Sequence, residues 1–362
     1  MSNDIRTVRW GVMGTARIAT RVANGIHAVE GAEVTAIASR SAERAAAWAK
    51  EHNVGRSYGE YQALLDDAEL DAIYIPLPPS LHHEWTIRAA EAGKHVLCEK
   101  PIAMTTAQAE EMAAACRENN VQFMDGVMWV HHPRAKVMLN AIHDETFGQP
   151  RRVTSGFSFR METWLQNSVP FAKRVNGKRT SSDVAATTLD DARPDELRLQ
   201  RDLGGGCLGD LGWYNVRATL WAFGGLPRRV FGMARYRYDV DLNFSGMMWF
   251  DNDRIASFDC GFDQVWRKWF EVIGTHGSLV CDDFVAPWDP ERPRYWVHDE
   301  FGKPAEHTAE PQIQEQCMIE EFCKIVRSGK LDERWPNDAI ANQRVIEALD
   351  KSARTKTVVE IT

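Results

Sequence analysis

The chain has 362 residues, more than a single hydrophobic core usually spans, so two domains are expected. A formal net charge of −8, with no long run of like charges, argues against a nucleic-acid face or a polybasic membrane patch. The seven cysteines are scattered, without CxxC spacing, and read as reduced thiols; no apolar leader or long uncharged run appears, so a cytoplasmic protein is expected.

The first strand-like run, "TVRWGVMG", leads into a glycine turn and a helix, "WGVMGTARIATRV". Gly11 and Gly14 stand at its end, and backbone amides at such a helix start can hold a pyrophosphate. The dinucleotide register reads Gly14-Thr15-Ala16-Arg17-Ile18-Ala19, with alanine in place of the second glycine. Glycine turns of this kind also follow strands in proteins that bind no nucleotide. The second strand, "AEVTAIAS", ends in Ser39 and Arg40, where a site preferring NAD usually carries Asp or Glu. Donors and positive charge there suit a 2′-phosphate, which predicts NADP, with NAD as the alternative cofactor. The competing reading is that Arg40 merely begins a solvated helix.

Further along, "SAERAAAWAKEH" reads as a helix capped by Ser41, and "DAIYIPLP" as a strand. A helix closing at Gly93 follows, then the strand "KHVLCE", a helix capped by Thr105 or Thr106, and "VQFMDGVMW". This alternation predicts an α/β, doubly wound parallel sheet. Lys100 stands where the strand "KHVLCE" ends, on the edge at which such sheets bind ligands. Pro101 after it allows a cis peptide that would fix the lysine's direction.

Beyond Trp129 the pattern changes to alternating strands, "RRVTSGFSF", "RRVFGMARYRY", "FSGMMWF" and "RIASFDCGF", which predict an α+β half with an open, largely antiparallel sheet. The polar stretch "RVNGKRTSSDVAATTLDDARPDELRLQRD" is long for a connection and reads as a lid, an oligomer arm or plain disorder. After it, "LGGGCLGDLGWYNVRATLWAFG" places Gly204, Gly205 and Gly206 before a helix, where they would let another surface approach. Asp210 and Tyr214, four apart, fall on one face of that helix. A carboxylate and a phenol near a lysine can form an acid-base set, the ammonium lowering the phenol pKa. Without the lysine, an Asp at a helix start and a Tyr in the core would be the plainer reading. Two amphipathic helices close the chain.

The glycine turn, "CEKP" and "GGGxxxDxxxY", in this order and in these domains, resemble the Gfo/Idh/MocA oxidoreductase family over essentially the whole chain. The resemblance implies an NADP-binding Rossmann domain over 1–128 and a substrate and oligomerisation domain with an open sheet over 129–340. A C-terminal helix and tail over 341–362 would pack back on both. It implies that Lys100, Asp210 and Tyr214 meet in the cleft between domains and that Pro101 is cis. Glu99 and Pro101 then flank the cofactor together with Lys100, and "PLPPSLHHEW" matches the loop near the nicotinamide, giving Pro76, Leu77, Pro78, Ser80 and His83 as contacts. Tyrosine rather than histidine at the last motif position resembles the branch of glucose-fructose oxidoreductase, aldose 1-dehydrogenases and dihydrodiol dehydrogenases, which points to a sugar or polyol. The family segment that usually reads Tyr-Arg is Trp129-Val130 here.

The expected reaction is hydride transfer between the nicotinamide and a carbinol carbon of a pyranose, C1 above all, with Tyr214 moving the proton, Lys100 assisting and Asp210 orienting a hydroxyl. Trp129, Trp164 and Arg198 stand as candidate substrate contacts, since tryptophan rings stack on sugar faces; Trp213 is a further candidate. Adjacent histidines at His82/His83 and His131/His132 point apart and lack acidic or thiol partners, so no metal is expected. The alternatives are an enzyme that keeps its dinucleotide for intramolecular sugar redox or glycoside cleavage, and a non-catalytic NADP-binding sensor. A homodimer or homotetramer is expected, because an open sheet face tends to pair with itself.

Overall fold

The computed structural model describes residues 5–163 and 196–361. Its first half runs β1 (Val8–Met13), α1 (Arg17–His27), β2 (Ala32–Ala38), α2 (Ala42–Glu51), β3 (Arg56–Tyr58), α3 (Tyr61–Leu65), β4 (Ala72–Ile75), α4 (Pro79–Glu91), β5 (His95–Cys98), α5 (Thr106–Glu118) and β6 (Phe123–Asp125). The six strands form one parallel sheet in the order β3-β2-β1-β4-β5-β6. Apolar residues on both strand faces, as in the fully buried "AIYI" of β4, are what helices on both sides require. The order reverses beside β1, and the carboxyl ends of β1 and β4 open a crevice at that point. The short β3 was not among the expected strands: three residues, none fully buried, carry too little pattern to be read.

The second half contains α6 (Pro133–Ile142), β7 (Arg152–Arg160), α7 (Trp213–Phe223), β8 (Arg229–Arg237), β9 (Val240–Trp249), β10 (Ile255–Gly261), β11 (Asp263–Ile273), β12 (Ser278–Cys281), β13 (Arg294–His298), β14 (Pro304–Thr308), α8 (Gln314–Ser328), α9 (Arg334–Thr355) and β15 (Val359–Glu360). Its sheet has the order β14-β13-β12-β11-β7-β10-β9-β8-β15. Only the central pair β7 and β10 is parallel, so the expected α/β fold with a second, mostly antiparallel sheet is borne out.

One face of this sheet is covered. Asn215 of α7 donates to Ser155 of β7 at 2.9 Å, and the backbone N–H of Gly232 in β8 donates to Ser352 of α9 at 3.0 Å. Meanwhile α8 returns to the first sheet, where Phe322 meets Trp10 with ring centres 4.8 Å apart and Met318 and Ile319 are fully buried. Each of these side chains contributes roughly 1.5–3 kcal/mol by leaving water. The helix α9 runs unbroken from Arg334 to Thr355, so the boundary expected at 341, for a C-terminal helix and tail, falls inside one element.

Candidate active site

The turn from β1 to α1 is shaped for an anion. Gly14 has φ +113°, a conformation that side chains rarely adopt, and a methyl there would crowd Leu77 at 3.0 Å. Ala16, at the N-cap, makes no side-chain cap bond, and the first turn of α1 holds no acid, which suits an anion beside Thr15, Arg17 and Ile18. Gly11 is a correction. It lies within β1, where a Cβ would strike the Leu70 and Ile73 side chains at 2.8 and 2.9 Å; close packing, not a ligand, requires it.

After β2, Ser39 is buried and its Oγ accepts from the Ser41 N–H at 3.3 Å, while the Ser41 Oγ caps α2 by accepting from the Arg44 N–H at 3.2 Å. Arg40 is exposed. Burial raises the Tyr61 phenol pKa and the charges of Arg40 and Arg44 pull it down, so both guanidiniums stand beside that ring. Sequence reasoning passed over Arg44. Its signal was the spacing, four residues after Arg40 in the first turn of α2.

Pro76, Leu77 and Pro78 join β4 to α4, with Leu77 against Gly14 and Ser80 half-buried in the first turn. His83, expected as a cofactor contact, pairs through Nε2 with Glu111 of α5 at 2.6 Å, linking two helices near the surface. The neighbouring His82 is the one that matters to the loop. Fully buried, it sets Nε2 2.7 Å from the Leu77 carbonyl and Nδ1 2.9 Å from the Pro101 carbonyl. Burial pulls its pKa down to about 4, against the carbonyls, which favour the charged ring.

At the end of β5 the Glu99 carboxylate accepts from the buried Tyr74 hydroxyl at 2.7 Å and from the Lys100 backbone N–H at 3.3 Å. The Lys100–Pro101 peptide is cis. The Lys100 Nζ donates to the Asp210 backbone carbonyl at 2.9 Å and to its Oδ1 at 2.7 Å, and lies 4.9 Å from the centre of the Tyr214 ring. Arg198 holds the other Asp210 oxygen through Nε at 2.6 Å, and its Nη1 reaches Glu196 at 3.0 Å. Arg198, expected as a substrate contact, therefore braces the carboxylate. It lies in the first of two successive 3-10 turns, Leu197–Leu199 and Arg201–Leu203, within the last residues of the long polar stretch; positions 174–195 of that stretch, and Trp164, lie outside the described residues.

The charges can be assigned. Burial opposes the Asp210 carboxylate, but Arg198 and Lys100 outweigh it and hold the group well below the usual range. Burial likewise opposes the Lys100 ammonium, and Asp210, Tyr214 and Glu99 more than restore it, leaving its pKa raised. Tyr214 departs from expectation: Lys100 does pull its pKa down, yet burial first, then Glu99 and Asp210, push the phenol above its ordinary value. The resting set is thus a carboxylate, an ammonium and a neutral phenol.

Asp210 lies in a π-helical turn, Leu208–Gly212, that runs directly into α7, a feature that often marks functional sites. The buried Asp241 anchors this turn, accepting from the Leu208 N–H at 2.6 Å and from the Cys207 Sγ at 3.1 Å. A Cβ on Gly206 would collide with that carboxylate, and one on Gly204 would meet Pro79 of α4 at 2.6 Å. The glycines thus admit the close approach of two surfaces, one from each sheet.

Trp129 is a second correction. It is 2 % exposed and packs edge-on against Trp221 and Phe284 at 5.3 and 5.6 Å, a core residue with no face left for a sugar. Trp213 is fully buried as well. Among the described residues, no three His, Cys, Asp or Glu side chains gather as a metal site would need.

Comparison with known proteins identifies the family of both halves. Residues 8–127 match "Oxidoreductase family, NAD-binding Rossmann fold", and residues 137–280 match "GFO/IDH/MocA C-terminal domain". The chain is 33% identical to D-xylose 1-dehydrogenase (NADP(+)) 2 of Haloferax volcanii, over 97% of this chain and 99% of that one. It is 29% identical to a dTDP-3,4-didehydro-2,6-dideoxy-alpha-D-glucose 3-reductase of Actinomadura kijaniata, over 96% of each. A crystal structure of a 3-ketoreductase from the same organism, with NADP and TDP-benzene, superposes with a TM-score of 0.82 at 27% identity, covering 96% of this chain and 98% of that chain.

Proposed function

The chain belongs to the Gfo/Idh/MocA oxidoreductase family, and from that premise we propose that it transfers hydride between NADP and C1 of a pyranose sugar. It is an NAD(P)-dependent enzyme acting on CH–OH groups of sugars or related polyols. One observation carries the reading: Lys100 from the first sheet meets Asp210 at 2.7 Å and the Tyr214 ring at 4.9 Å from the second.

The residues present fit the dinucleotide. The uncapped start of α1 after Gly14 suits a pyrophosphate, and Ser39, Arg40 and Arg44 after β2 suit a 2′-phosphate better than a bare ribose hydroxyl. When bound, the nicotinamide accepts or gives the hydride. Tyr214 moves the proton at the substrate oxygen, as acid when a carbonyl is reduced and as base when a hydroxyl is oxidised. Lys100 donates a hydrogen bond to the same oxygen and stabilises negative charge that develops there. Asp210, with both oxygens engaged, orients Lys100 instead of a substrate hydroxyl. Residues 1–128 serve the cofactor and the second sheet serves the substrate, in a cytoplasmic homodimer or homotetramer.

The test uses an aldose panel with NADP. Oxidation at C1 yields a lactone, so the methyl glycoside of any active aldose, blocked at that carbon, is inert; its oxidation overturns the C1 assignment. Lys100→Met is expected to bind NADPH as the parent does, by cofactor fluorescence, while kcat falls about 10²-fold or more. Turnover near the parent's removes Lys100 from the chemistry.

A further inference from the structure

We propose that a second cleft, bounded by α6, α7, α8 and α9, binds a small organic anion bearing a carboxylate or phosphate. It encloses about 1090 Å³, and none of Lys100, Arg198, Asp210 or Tyr214 lines it. That volume is ample for a molecule of sugar-acid or nucleotide size, more than a simple ion needs.

Two buried donors, from Arg217 and His131, and one exposed donor, from Arg334, line this cleft. Arg217 of α7 has a side chain only 4% exposed. Its Nη2 lies 3.5 Å from both Asp125 and Asp338, the long limit for a charge-assisted bond, and its buried Nη1 has no hydrogen-bond partner among the described residues. His131, just before α6, stacks on Trp335 of α9 at 4.4 Å and 23°, and its Nε2 is likewise buried without a partner. The Arg334 guanidinium lies 3.9 Å from the centre of the same indole. Both guanidiniums act on His131: burial, then Arg217 and Arg334, bring its pKa down to about 3, so the ring is neutral near pH 7.

An oxyanion satisfies this set. It would accept from Arg217, Arg334 and a neutral His131 tautomer carrying its proton on Nε2, three donors whose buried members are costly to leave unmade. Lys136 adds positive charge at the rim from α6. The carboxylates of the lining are partly engaged: Glu321 pairs with Lys324 at 3.7 Å, and Asp338 with Arg217. Leu139, Leu220 and Trp221 line the rest and suit the apolar body of an organic ligand. The lining sets Lys136, Arg217, Lys324 and Arg334 against Glu320, Glu321 and Asp338, with Asp125 behind Arg217, so its charges nearly balance and selection of an anion rests on the placed donors, not on net charge.

The site does not depend on the redox chemistry, and its test is made on the full chain saturated with NADP. D-gluconate, citrate and inorganic phosphate are titrated by calorimetry at constant ionic strength, with chloride as reference. At least one is expected to bind with Kd of about 1 mM or tighter. Binding by gluconate or citrate alone assigns a carboxylate ligand, and by phosphate alone a phosphate. The double variant Lys136→Ala/Arg334→Ala changes two exposed positions, and it is expected to weaken binding about tenfold or more, while Lys100→Met leaves it unchanged. No binding by any probe up to about 10 mM, equal binding by the double variant, or loss in Lys100→Met overturns the proposal.

Discussion

His82 and His83 differ by one step along α4 and by everything in environment. One helical residue turns the side chain by about 100°, which sends His83 to the surface pair with Glu111 and His82 into the core between Leu77 and Pro101. The pair was visible in the sequence; which member faced inward was not. Because burial holds the folded pKa of His82 at about 4, below the unfolded value near 6.5, its neutral contribution is complete above pH 6.5 and declines as pH falls towards 4. His82→Gln removes that titration. The stability advantage of the parent over the variant, measured by urea unfolding, is expected to shrink by about 2 kcal/mol from pH 7.5 to 4.5; a constant difference counts against a neutral buried ring. Tyr214 sets the other pH dependence. With its pKa raised, the phenol is a ready acid but an unready base, so kcat/KM for alcohol oxidation is expected to climb with pH and to show no plateau below the ordinary phenol value of about 10. Carbonyl reduction stays level through neutrality. A plateau near pH 7 in the oxidation profile would mean that the phenol is not the group that ionises.

The π-helical turn places Asp210 and Tyr214 together, and its support explains why the pair was only half legible. Their four-residue spacing and the glycines before them are local, so one helix face could be read directly from sequence. Nothing local indicates that Asp241, the second residue of β9, caps the turn through Leu208, because that contact spans 33 positions. Arg198 was equally hidden in its role: its charge was apparent, but its partner depends on how the polar stretch returns to α7. Asp241→Asn keeps the shape and removes the charge that accepts two hydrogen bonds. We expect a loss of about 1–2 kcal/mol in unfolding free energy and a fall in kcat smaller than that of Lys100→Met, with NADPH affinity retained. Unchanged stability would show that the turn holds without this anchor.

Across the whole molecule, the parallel sheet was readable because its strands are buried on both faces and alternate with helices, whereas the order of the second sheet required contacts no local pattern encodes. Its parallel centre, β7 beside β10, joins segments about a hundred residues apart, and α8 crosses back to α1 although its pattern reveals only that one face is buried. Among the described residues no helix covers the sheet face away from α7 and α9. Cross-strand register puts Phe231 opposite Met247 and Met233 opposite Ser245 on that face, with Trp249 two residues on and Met233 65% exposed. Methionine and tryptophan with the Arg235 and Arg267 side chains nearby form the mixture that interfaces favour, and a sheet of this breadth can supply the roughly 800 Å² per partner that a stable dimer buries. Met233→Glu/Met247→Glu sets two charges on exposed positions of that face without touching the core, and in a symmetric pair each charge is repeated by the partner copy. Sedimentation equilibrium is expected to show the parent as a dimer or tetramer and the double variant as a monomer with an unchanged far-UV spectrum. A monomeric parent, or an assembly that survives both charges, would place the contact elsewhere or remove it, leaving the open face to be explained by solvent alone.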